Sequence, residues 1–104
     1  MRKYQKLLTV ERVIALEKRL SQIPSVAQFD LAEEPEGHRL AHALSHWEDS
    51  FAVVLDNVLP KVADDRTSAE DLTDALGDLG EELRHILYHI NDVKYFGYLL
   101  DAET

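Results

Sequence analysis

Five histidines and no cysteine set the chemistry open to this 104-residue chain. His38, His42 and His46 are spaced i, i+4, i+8, so on a helix they make one narrow stripe. His85 and His89 make a second such pair. Two imidazoles one helical turn apart can chelate a metal ion. Glu82 with His85 adds one Glu-x-x-His, whereas a di-iron bundle needs two such motifs and two further glutamates, all pointing inward. His38, His42, His46, Glu82, His85 and His89 are therefore the metal-ligand candidates. All five imidazoles project away from the main apolar seam of their helices, however. The sequence alone therefore reads them as solvent-facing or interface histidines, with no metal and no other cofactor expected.

Arg84 and His89 offer a different chemistry. The spacing Arg84-x4-His89 resembles that of HEPN-type ribonucleases, helical bundles in which an Arg and a His from each subunit meet in a dimer cleft. The resemblance spans six residues and implies a dimeric ribonuclease using Arg84 and His89. His85 stands where the family has a polar residue directly after the Arg, and Arg39 with His46 meets a looser form of the same pattern. An acidic surface opposes RNA.

Other catalytic classes lack their parts. Without cysteine there is no thiol nucleophile, disulfide or thiolate zinc site. No Gly-x-Ser-x-Gly elbow, phosphate loop or dinucleotide fingerprint occurs. Ser45 beside His46 is no dyad, because adjacent helical side chains diverge.

The net charge of −9 is unevenly placed. Residues 1–19 carry six basic and two acidic side chains, and the remainder five basic and eighteen acidic. Between Asp64 and Glu82 only Arg66 opposes a run of eight acids. A field of that sign repels nucleic acid and favours basic partners. The basic residues Arg2, Lys3, Lys6, Arg12, Lys18 and Arg19 are expected to neutralise the acidic helix rather than touch phosphate. No apolar run reaches membrane-spanning length, and the charged N-terminus leads into no continuous apolar segment, so a cytoplasmic protein without a membrane anchor is expected.

The elements that must hold these residues are helical. Residues 3–22 read as a first helix, stopped by Ile23-Pro24. Ser25-Val-Ala-Gln28 reads either as a capped short turn or as an extended plug carrying Val26, Phe29 and Leu31. After the turn at Glu34-Pro35-Glu36-Gly37, a second long helix lines Leu40, Leu44, Trp47, Phe51, Val54, Leu55, Val58 and Val62 along one face, with Pro60 expected to end or kink it near Leu59. Thr67-Ser-Ala-Glu70 has the capping-box pattern, so a third helix starts at about Ser68 or Ala69. Its stripe is Leu72, Leu76, Leu79, Leu83, Ile86, Leu87, Ile90 and Val93. Gly77 and Gly80 leave open whether it breaks, and Gly97 reads as the residue after a helix end. No alternating strand pattern appears. The expected architecture is all-α: a single domain over residues 1–104, an antiparallel up-and-down bundle of three long helices with one or two short helical segments.

Such a chain is expected to act through protein–protein contact. It reads as a homodimer or as a regulatory or neutralising module for a basic protein, with His85, Tyr88, His89, Asp92 and Tyr95 as the outward-facing contact stripe. A metal-binding bundle and the ribonuclease are the alternatives.

Overall fold

The computed structural model describes residues 3–102, all of whose regular structure is helical. Arg2, counted above among the basic N-terminal residues, lies outside the described residues. Six α-helices follow one another: α1 (Val10–Ser21), α2 (Pro24–Ala27), α3 (Glu36–Val53), α4 (Leu59–Ala63), α5 (Ala69–Asp92) and α6 (Lys94–Ala102). A π-helical turn, Val54–Val58, joins α3 to α4 without a break.

The first helix starts seven residues later than its apolar spacing predicts. Thr9 caps it, its hydroxyl accepting from the Arg12 amide. Residues 3–9 instead run outside the helix and are held by α3 and the π turn. The Glu48 carboxylate accepts from the Tyr4 hydroxyl and from the Leu7 and Leu8 amides at 2.6 and 2.8 Å, while Asp56 accepts from the Tyr4 amide at 3.0 Å. A buried acceptor that satisfies several backbone donors outcompetes the helical ladder for them. Burial by itself would push the Glu48 carboxyl up. The Tyr4 hydroxyl, the two amides and Lys6 outweigh it and hold the group below the usual glutamate range.

α2 is a single turn with Ile23 at its cap and Pro24 in its first positions, so Ser25 lies inside the turn rather than capping it. Its Val26 is buried. Gly37 explains how the start of α3 meets the end of α1. A Cβ at Gly37 would sit 2.6 Å from Ser21 Oγ and 2.7 Å from the Ser21 amide nitrogen, so only glycine allows this approach.

Pro60 does not end the second long helix. The chain stays helical from Glu36 to Ala63 because the π turn changes the ladder's step just before the proline. The Leu59 amide reaches back to the Val54 carbonyl, five residues away. α5 runs unbroken through Gly77 and Gly80, and Ser68 caps it by accepting from the Asp71 amide at 3.1 Å. Val93 leaves helical geometry and is buried; α6 restarts at Lys94, so Gly97 lies within a helix rather than after one.

α3 is the central element, packed on α1, α2, α5 and α6. The core is Val26, Leu40, Ala43, Trp47 and Val93, with Ile86, Ile90, Tyr95 and Phe96 against it. The Trp47 indole donates to the Ile86 carbonyl at 3.0 Å, and the Phe96 ring meets it at 5.2 Å between centroids. A buried pair locks the start of α6 to α3. Glu36 is fully buried; one of its oxygens accepts from Arg39, the other from the Lys94 and Tyr95 amides at 2.6 and 2.8 Å. Arg39 also donates to the Phe29 and Glu34 carbonyls. Two of the amides left open at the N-terminus of α6 are thus taken up by a carboxylate.

Candidate metal centre

α5 is rotated relative to what its stripe predicts. At about 100° per residue, its buried arc is centred roughly 60° from the centre of its leucine stripe. One flank of the stripe, with Ile86 and Ile90, packs on the core. On the other flank Leu76, Leu83 and Leu87 are about half exposed. The rotation carries His85 and His89, expected on the outer face, to the edge of the α3 contact, where they are half-buried.

There they meet His46 of α3. One donor atom from each of His46, His85 and His89 lies within 4.8 Å of the other two. The His46 ring stacks on His89 with centroids 4.3 Å apart, and it meets His85 edge-on at 5.3 Å. The Nε2 atoms of His85 and His89 are 3.2 Å apart. Their other ring nitrogens are occupied: His85 Nδ1 shares a 2.7 Å hydrogen bond with Ser50 Oγ, a fully buried side chain, and His89 Nδ1 is 3.1 Å from Asp92 Oδ2. A ring held at Nδ1 turns its Nε2 toward the shared centre, and a carboxylate or hydroxyl behind a histidine is the usual support of a metal-ligating imidazole. Desolvation, and then the neighbouring His89 and His85, push the His46 imidazole below its ordinary value, so it tends toward the neutral form that carries a free lone pair.

A second cluster lies across the start of α3. Glu17 Oε1 faces His38 Nδ1 at 3.1 Å and His42 Nε2 at 2.9 Å, and the two rings lie 4.4 Å apart. Both imidazoles are nearly half exposed. The Glu17 carboxylate is thus engaged between two imidazoles. His42, His46 and His89, together with Arg39 and Asp92, line a shallow cavity of about 290 Å³ between the two clusters.

The three i+4-spaced histidines of α3 therefore divide between two clusters: His38 and His42 go to Glu17, His46 to α5. Glu82 joins neither cluster. Of the expected contact stripe, Tyr88 and Asp92 are exposed, with the Tyr88 ring edge-on to His89. Tyr95 is partly buried and packs against the core, beside Phe96. The two polar contacts of His89 run to Asp92 and His85, so the structure does not join Arg84 to it. Ser50 and Asp92 carried no metal signal in the sequence beyond lying one turn from His46 and three residues from His89.

No family model, no curated protein and no solved structure matches this chain. The site is accordingly read from its own geometry.

Proposed function

We propose that this domain binds a divalent transition-metal ion of the zinc class through His46, His85 and His89. The observation that carries the reading is the 3.2 Å separation of His85 Nε2 and His89 Nε2, with both Nδ1 atoms engaged elsewhere. Two zinc–nitrogen bonds of about 2.0–2.1 Å at a tetrahedral angle bring their nitrogens to about 3.3 Å from each other. Without an ion, the same spacing is held by one imidazole donating to the other. A three-histidine donor set leaves a fourth position for water or a substrate oxygen, the arrangement that suits Lewis-acid chemistry. The all-imidazole set favours zinc, copper, nickel or iron over magnesium and calcium. The antiparallel order of the long helices belongs to the same reading. It is supported by the contact register, in which His46, Trp47 and Ser50 of α3 meet His89, Ile86 and His85 of α5 in descending order.

Titration calorimetry with Zn²⁺ on protein free of any affinity tag tests the proposal. One equivalent is expected to bind, and His85→Ala and His89→Ala are each expected to weaken binding by at least about tenfold. His38→Ala, in the second cluster, is expected to leave it unchanged. Co²⁺ in place of Zn²⁺ should give the intense visible bands of a four-coordinate site. Equal uptake by the wild type and a His85→Ala/His89→Ala double variant would sink the assignment.

A further inference from the structure

On the side of α5 away from the imidazoles, four positions repeat in steps of four, three and four: Leu76, Gly80, Leu83 and Leu87. That is the spacing of a coiled-coil seam, and its leucines are left about half exposed by the described residues. Leu76 is 57% exposed, Leu83 49% and Leu87 60%. Gly80 sits among them with nothing within 4 Å of where its Cβ would be. A glycine in a helix interior costs about 1 kcal/mol relative to alanine, and among the described residues no neighbour requires this one. We propose that this seam is the interface of a homodimer, with α5 packed on α5 of a second copy and crossing it closely at Gly80.

Three observations select a second copy as the occupant. The first is area. The chain exposes 7590 Å², while a compact monomer of its 11.9 kDa exposes about 5,900 Å². The excess of about 1,600 Å² belongs to the chain as a whole, and it exceeds the roughly 800 Å² that each partner of a standard interface buries, so the fold has surface to spare for one. The second is shape. The radius of gyration is 16.8 Å, where about 13 Å is usual at this length. The chain is elongated and flattened, 51 × 34 × 22 Å, which leaves much of its surface uncovered within one copy.

The third is charge. All seven acids of α5 project within an arc roughly 120° wide, centred on the side of the helix away from the seam. Two copies of α5 can therefore meet at the seam without setting their own carboxylates against each other. A basic partner would be drawn to the acidic arc instead. The contact is self-complementary, as a two-fold interface requires.

Sedimentation velocity and light scattering across a concentration series test the proposal, with far-UV circular dichroism confirming that each variant is folded. The wild type is expected to be a dimer. Leu83→Glu, at an exposed site, should stay helical and raise the dimer dissociation constant by at least about tenfold. Gly80→Ala should weaken the dimer in the same direction. Gly77→Ala, whose added methyl also meets open space but lies off the seam, should gain the same helix propensity and leave the dissociation constant unchanged. A wild type that sediments as a monomer overturns the proposal, whatever it captures from a lysate. So does a Leu83→Glu variant as dimeric as the wild type. None of these measurements depends on metal, so the two readings fail separately.

Discussion

Replacing Glu36 tests how the core is locked. The Glu36 side chain has no exposed surface and serves three donors: Arg39 and the Lys94 and Tyr95 amides. Glu36→Ala leaves a buried guanidinium without its counter-charge, although the Phe29 and Glu34 carbonyls still accept from it. Removing one partner of a buried ion pair costs about 3–5 kcal/mol. The two orphaned amides open to water if α6 detaches, and this limits the further loss. The remaining carbonyl bonds to Arg39 place the expected loss at the lower end, about 3 kcal/mol.

At about 4–8 °C per kcal/mol for a domain of this size, Tm should fall by about 12–24 °C. Glu36→Gln keeps the shape and one acceptor oxygen but loses the charge, and should cost roughly half as much. Urea unfolding followed by circular dichroism gives both values, provided the slope of the transition is unchanged. Hydrogen exchange adds a local readout, because the Lys94 and Tyr95 amides should lose protection before the Trp47 region does. If Glu36→Ala unfolds within about 1 kcal/mol of the wild type, the pair does not lock α6 to α3 and the reasoning fails.

Other outcomes follow from single contacts. Glu48→Gln removes a carboxylate held below its ordinary value, which stabilises the fold above the unfolded-state value of 4.5 and loses that effect as the pH falls through the lower folded-state value. The gap in Tm between wild type and Glu48→Gln should therefore be full at neutral pH and close on acidification below 4.5; a gap that widens there would contradict the assignment. Gly37→Ala should destabilise despite its better helix propensity, since the methyl would meet the Ser21 backbone; a raised Tm would disprove the close approach. Ser68→Ala removes the cap of α5 and should cost about 1 kcal/mol in chemical denaturation. Trp47→Phe should lose the bond to the Ile86 carbonyl and loosen the imidazole cluster, read as weaker Zn²⁺ binding in calorimetry.

The histidine spacings, the long helices after Pro35 and after Ser68, and the absence of strands among the described residues were all legible in the sequence, because they are local. Periodicity fixes which side chains share a stripe, and a serine before an acidic first turn fixes where a helix begins. A signal for the buried pair was also present. Glu36 lies in line with Leu40, Ala43 and Trp47, so a charged residue stands in the apolar face of its helix. The late start of α1 had a local signal in Thr9 ahead of Glu11, but the acceptors that draw residues 4–8 away from the helix sit some forty to fifty positions away.

What the tertiary structure alone decided is which way each stripe faces. Sequence period says that His85 and His89 stand together and that Leu76, Leu83 and Leu87 stand together. It carries no information about which neighbouring helix either set meets. That depends on packing: α3 offers Trp47, Ser50 and His46 to α5, and the rotation that seats the indole against Ile86 draws the imidazoles inward and turns the leucines out. A helix can bury only the arc its neighbours cover, so a stripe wider than that arc leaves a flank bare.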